Sequence, residues 1–170
     1  MMARSHVVVG VASWAGLQWA INGNDGADLL ALGLAGAGAL LPDLDHPGST
    51  FGRLVPFISI PIAALFGHRG ITHSLVGVVL VLIGTCWAGG GWCAWPLGVG
   101  YISHVAADMV TPSGCPLLWP SRRAFSFNLW RSGAPVETVF SIGLLAWLVW
   151  AEGWDMVASG LNLVAWVSSI

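Results

Sequence analysis

The sequence predicts an all-α fold, a polytopic membrane helical bundle with about four transmembrane helices and one re-entrant or interfacial segment. Three observations lead there. Charged residues are only 8% of the chain and hydrophobic ones 56%, with a mean hydropathy of +0.77, far too apolar for an ordinary soluble domain. Apolar runs of helical length alternate with short loops rich in Pro, Gly and Asp. Three of the 11 tryptophans, Trp87, Trp92 and Trp95, gather at one end of the clearest run, as an interfacial belt does. The 170 residues are expected to form a single domain.

Val7 to Ile21 follows Arg4 and resembles a secretory signal at first sight. No small-x-small cleavage site comes after it, so a retained first helix is expected. Leu29 to Leu41 is a second segment, only just long enough to cross, whose Gly33, Gly36 and Gly38 offer a smooth surface for close helix packing. Pro42 to Gly52 is a polar loop. Leu54 to Phe66 is short and interrupted by Pro56 and Pro61, which suits a re-entrant or interfacial segment. Leu75 to Trp95 is an uncharged span ending near Gly89 to Gly91, and Pro96 to Val110 returns. Thr111 to Arg131 is a long polar and aromatic loop, and Val136 to Trp150 is the last strong span. Glu152 to Gly160 is expected as an acidic turn before an apolar tail, Leu161 to Ile170, too short to cross.

In this layout Arg4, Arg53, Arg69, Arg122, Arg123 and Arg131 share one side, and Asp25, Asp28, Glu152 and Asp155 share the other. The positive-inside rule makes the arginine side cytoplasmic. A net charge of -2, with arginine as the only strong base, gives no reason to expect a nucleic-acid partner. Cys86, Cys93 and Cys115 form no C-x-x-C pair, which argues against a disulfide framework or a thiolate zinc site.

Polar residues are costly at membrane depth, so their placement is the main evidence about function. They gather around Gly67 to Ser74, Gly-His-Arg-Gly-Ile-Thr-His-Ser. His68 and His73 are five apart, which is not the spacing of a zincin helix, so they belong on a loop entering the next helix, with Thr72 or Ser74 as its cap. His104 and Asp108 stand four apart on one helix face, with Thr111 a turn further on; they are either metal ligands or a helix-packing pair. Asp43 and Asp45 alternate in an extended chain and point the same way, as hard oxygen ligands or as a loop feature. His6 precedes the first helix. His46, beside Pro47, reads as a bystander.

His6, His68, His73, His104, Asp43, Asp45 and Asp108 all reach one side, more than the four ligands of a closed zinc site. The count favours two divalent ions with open positions, with Zn, Mn or Fe suited to imidazole and carboxylate ligands. Arg69, between the two histidines, is placed to stabilise phosphate oxygens, as are Arg122 and Arg123 unless these only set topology or touch headgroups.

The His6, Leu41-Pro-Asp-Leu-Asp-His-Pro47 and His68-Arg-Gly-Ile-Thr-His-Ser74 segments, followed by His104-x3-Asp108-x2-Thr111-x2-Gly114-x2-Leu117-x2-Pro120, resemble the bacterial inner-membrane metal-dependent hydrolases of the LexA-regulated, YdjM-like family. The resemblance covers His6 to Pro120. It implies a multi-helix inner-membrane protein with a divalent-metal hydrolase site, distantly similar to the all-α zinc-dependent phospholipase C and P1 nuclease group. It also implies that the seven histidines and aspartates form the metal set; with Arg69 placed as above, Arg69, His73 and Asp108 are the residues expected to be catalytic. Glu137 lies beyond the match, as a further site residue or the acid of a helix N-terminus.

The function expected from these residues and the resemblance together is hydrolysis of a phosphoester, a phospholipid or lipid-linked phosphate, at the cytoplasmic interface. Two alternatives stand beside it. One is an ion transporter, although no internal repeat or pair of broken helices is visible. The other is a structural or stress-linked membrane protein whose metal fixes the fold.

Overall fold

The computed structural model describes residues 2–23, 28–67, 69–88 and 90–167, with 152–167 as backbone alone. The described elements are helical apart from one antiparallel bridge between Cys115 and Phe125. In chain order they are α1 (Ala3–Asn22), α2 (Leu29–Gly38), a 3-10 turn (Pro42–Asp45), α3 (Pro56–Phe66), a second 3-10 turn (Ile71–His73), α4 (Leu75–Trp87), α5 (Gly91–Val110) and α6 (Pro135–Val167).

Local chemistry sets most of these boundaries. The Asp28 carboxylate accepts from Leu30 N–H at 3.3 Å and starts α2, and the Ser74 hydroxyl accepts from Gly77 N–H at 3.3 Å and starts α4. Proline opens α3 and α6, where its missing N–H costs nothing. Gly23 and Gly67, at φ 75° and 74°, end α1 and α3 in a backbone conformation that side chains disfavour.

Three expectations need correction. The helix from Leu75 stops close to the end expected near Gly89 to Gly91, α4 running to Trp87, but the returning helix begins at Gly91 and not at Pro96, so Trp92 and Trp95 belong to the first turns of α5. Glu152 to Gly160 is not a turn, because α6 runs unbroken to Val167; the segment contains glycine but no proline, and glycine costs a helix only about 1 kcal/mol. Asp43 and Asp45 lie on a 3-10 turn and not on extended chain, since Pro42 begins a helical turn there.

Among the described residues, no helix is long and apolar enough to cross a membrane. Length alone excludes three of them. With 10, 11 and 13 residues, α2, α3 and α4 fall short of a hydrocarbon core about 30 Å thick at about 1.5 Å per residue.

The packing centre is α5, which contacts α1, α2 and α4, while α1 also contacts α2 and α6. Small residues let these backbones meet. A Cβ on Gly100 would lie 2.0 Å from the Ala35 carbonyl oxygen, one on Gly38 would lie 2.2 Å from the Leu97 carbonyl oxygen, and one on Gly10 would lie 2.7 Å from Ala39 Cβ. Of the three glycines expected to smooth α2, Gly38 meets α5, Gly36 meets Val7 and Val11 of α1, and Gly33 faces open space. The segment after α5 folds back onto its end, with Phe127 N–H donating to Met109 O at 2.7 Å and Leu129 N–H to Val110 O at 2.9 Å.

Glu137 is a tie between chain segments. Its side chain is fully buried, with Oε1 accepting from Met2 N–H at 2.7 Å and Oε2 from Gly133 N–H at 2.7 Å. It fixes the start of α1 against the start of α6, the second of the two roles open to it from the sequence.

Two predictions follow for unfolding in detergent. Gly100→Ala should lower stability by about 1–3 kcal/mol through backbone overpacking, whereas Gly33→Ala should change it by less than about 1 kcal/mol and in the stabilising direction. Glu137→Ala, which strands the Met2 and Gly133 amides, should cost about 1.5–3 kcal/mol for each charged hydrogen bond lost, read as a lower unfolding midpoint.

Candidate metal centre

Four segments converge on one buried cluster. The second turn of α1 supplies His6, which lies within the first helix and not before it because α1 starts at Ala3; the turn after α2 supplies Asp43 and Asp45, the segment before α4 supplies Arg69 and His73, and the last turns of α5 supply His104 and Asp108. His6, His73, His104, Asp45 and Asp108 are each no more than 2% exposed. Such burial requires partners.

His104 is anchored from behind. Its Nδ1 lies 2.6 Å from the Ala39 carbonyl oxygen, an acceptor only, so Nδ1 carries the proton and Nε2 the lone pair. His73 is anchored in the same sense, with Nδ1 3.1 Å from Asp45 Oδ2. The two Nε2 atoms then face each other at 3.3 Å. In the Nδ1–H tautomers neither has an N–H to give the other, and either a proton or a metal ion between them would relieve the opposed lone pairs.

Around them stand carboxylates and a third imidazole. Asp108 Oδ1 lies 3.3 Å from His6 Nε2, and its Oδ2 lies 3.9 Å from His73 Nε2. Asp43 Oδ1 lies 3.8 Å from His104 Nε2, and the half-buried Asp43 side chain is 20% exposed. The His6 ring stacks on His104 with centroids 3.7 Å apart, and His6 Nδ1 is buried without a hydrogen-bond partner among the described residues. Two groups thus bring ligand atoms within 4.8 Å of one another: His6, His104 and Asp108, and Asp43, His73 and His104. Both use His104. Since one imidazole nitrogen serves one ion, a second ion would have to rely on the remaining ligands, with Asp108 able to offer an oxygen to each.

Asp45 has a different place. Its Oδ2 accepts from Arg69 N–H at 2.8 Å, from the Thr72 hydroxyl and from His73 Nδ1. That is the position of a carboxylate that orients a ligand from the outer shell. Thr72, expected as a possible helix cap, serves this carboxylate, and its carbonyl accepts from the Tyr101 hydroxyl.

Arg69 reaches the cluster from the side, with Nη2 2.7 Å from Asp108 Oδ2 and Nη1 3.0 Å from the Gly114 carbonyl oxygen. Its φ is 58°, in the left-handed region, which costs a residue with a side chain about 1–2 kcal/mol. The Asp45 contact to its amide helps to hold that turn.

The remaining candidates separate clearly. His68 lies outside the described residues. His46 is exposed, and Arg122 and Arg123 are exposed in the segment after Pro120. The Thr111 hydroxyl donates to Asp108 O at 2.8 Å and closes the helix end. Cys115 is fully buried beside α5, its Sγ 3.6 Å from the Val105 carbonyl oxygen, and burial pushes its thiol up to about 12. Sequence reasoning missed the Ala39 and Gly114 carbonyls, main-chain acceptors that carry no side-chain signal.

Comparison with known proteins bears on the same residues. The inner membrane protein YdjM of Escherichia coli (strain K12) is 42% identical over 120 residues, which cover 65% of this chain and 61% of that protein. The match thus spans less than two thirds of the relative's length. The protein YvsG of Bacillus subtilis (strain 168) is 32% identical over 147 residues, covering 85% of this chain and 89% of that one. The inner membrane protein YbcI of E. coli (strain K12) is 34% identical over 135 residues, covering 68% and 73%. No solved structure matches. The family described as YdjM inner membrane protein matches residues 1–170, the whole chain, and the E. coli relatives YdjM and YbcI carry the same inner-membrane description; the chain belongs to this YdjM inner membrane protein family.

Proposed function

We propose that this chain is a multi-pass inner-membrane, metal-dependent hydrolase acting on a phosphoester, a phospholipid or lipid-linked phosphate, with its site toward the cytoplasm. The observation that carries the proposal is the pair of imidazoles, His73 and His104, each tied by Nδ1 to an acceptor and opposed through Nε2 at 3.3 Å. Histidines that hold a metal are oriented in this way from the outer shell. His6, Asp43, His73, His104 and Asp108 would hold the ion or ions, with Zn, Mn or Fe suited to the donors. A bound divalent ion there supplies a Lewis acid and lowers the pKa of water toward neutrality.

The chain's own groups supply the rest. Asp45 keeps the His73 proton on Nδ1, and the Ala39 carbonyl does the same for His104. Arg69, 23% exposed, keeps a fixed positive charge against Asp108 and is placed to neutralise an anionic oxygen. Exposed apolar side chains on α3 and α4, such as Phe57, Leu80, Ile83 and Trp87, favour lipid contact.

The burial of His73 and His104, both 0% exposed, also suits a metal that only fixes the fold. The partial exposure of Asp43 and Arg69 favours a centre open on one side.

Elemental analysis of detergent-purified protein should find about one to two divalent ions per chain, lost in His73→Ala and Asp108→Ala. Protein that stays metal-free after loading would end the proposal. Phosphoesterase activity should disappear in the same variants; full metal occupancy without cleavage of any generic phosphoester or phospholipid would leave the structural reading. Asp45→Asn should keep the fold yet bind metal about 10–100-fold more weakly, as measured by competition with a chelating dye.

A further inference from the structure

A cleft of about 690 Å³ opens beside the cluster, between the end of α3 and the segment that follows α5. Its size is that of a small-molecule site. Two arginines, Arg69 and Arg122, line it, and among the described residues none of its lining is an Asp or Glu. Arg69 is ion-paired with Asp108 outside this lining, and Arg122 adds a second, exposed guanidinium, so the lining itself presents positive charge, which selects for anions. Its walls are also apolar: Phe66 and Trp119 line it with their rings edge to face, centroids 6.2 Å apart, and Ala64 stands on the α3 side.

Arg69 belongs to both the cleft and the metal cluster. Two of its five N–H donors are taken by Asp108 and Gly114, which leaves others for a ligand. An anion held in the cleft therefore sits one guanidinium away from the Asp108 carboxylate. The left-handed backbone at Arg69 places a strained residue at this junction, where functional sites commonly store strain.

From this geometry we infer that the cleft is the binding site for the anionic headgroup of the substrate, a phosphate-bearing molecule with an apolar portion, and that Arg122 is a specificity-determining residue for it. The identity of the anion as phosphate rests on the phosphoester reading; the preference for an anion rests on the cleft. Arg69 and Arg122 engage the headgroup, and Phe66 with Trp119 packs against the apolar portion. The same headgroup chemistry occurs in a lipid and in a soluble phosphate compound.

The test is binding of octylphosphonic acid, which has no ester to hydrolyse, to the full chain in detergent, followed by phosphorus NMR line broadening. Wild type should bind saturably, and Arg122→Gln and the cleft-filling Ala64→Trp should each weaken binding about tenfold or more, with Arg122→Lys restoring most of it. Octyltrimethylammonium should not compete. Tighter binding of octylphosphonic acid than of methylphosphonic acid would assign the site to a lipid, and equal binding to a soluble phosphate compound. Equal affinity in wild type, Arg122→Gln and Ala64→Trp would overturn the inference. If Arg122→Gln hydrolysed phosphoesters with an unchanged KM, the cleft would be excluded and the hydrolase reading kept. Cleft-dependent binding without turnover in metal-loaded protein would separate the two in the opposite direction.

Discussion

The contact between the backbones of α2 and α5 is the constraint on which the centre depends. Gly38 and Gly100 allow the two helices to approach until main-chain atoms touch. Only then does the Ala39 carbonyl, just past the end of α2, come within 2.6 Å of His104 Nδ1. A carbonyl there is otherwise an orphan acceptor of a helix terminus. The bond to His104 satisfies it and selects the imidazole tautomer at once. Helix packing and site chemistry are thus a single event, and a larger residue at either glycine would disturb both.

A second layer of order comes from Asp45. One buried carboxylate gathers the Arg69 amide, the Thr72 hydroxyl and the His73 ring, all from the segment before α4. Burying a carboxylate is expensive unless its lone pairs are used, and here three donors meet one oxygen. The segment between α3 and α4 has no long helix to stiffen it. Its conformation is dictated by this acid, which reaches it from the turn after α2. Asp108 plays the complementary part on the opposite side, meeting both His6 and Arg69.

Much of this was visible in the amino-acid order. The spacing of four between His104 and Asp108 places them on one helix face, and both do reach the cluster. Ser74 reads as a cap and is one. Other features required the third dimension. Asp43 and Asp45 look equivalent as alternating residues of an extended chain, but the 3-10 turn begun by Pro42 sends Asp43 toward His104 and Asp45 behind His73. The glycines at 89–91 mark the break between α4 and α5, but the Trp-rich stretch fits the end of one helix as well as the start of the next, and the structure gives it to α5. Glycine and acidic residues suggested a turn within α6, yet without proline no backbone hydrogen bond is forcibly lost and the helix continues. The stacking of His6 on His104 joins residues far apart in the chain, and no local pattern encodes it.

Arg69 sets backbone comfort against side-chain chemistry. Its left-handed φ of 58° is one that glycine or asparagine adopts readily, whereas its guanidinium is what meets Asp108. A selection for thermal stability alone would therefore drift toward Gly or Asn at this position and erase the positive charge next to the cluster. Consensus or directed-evolution schemes that reward expression and heat resistance would degrade the site while improving the protein by their own measure. Position 69 is accordingly one to hold fixed in any stabilised version of this chain.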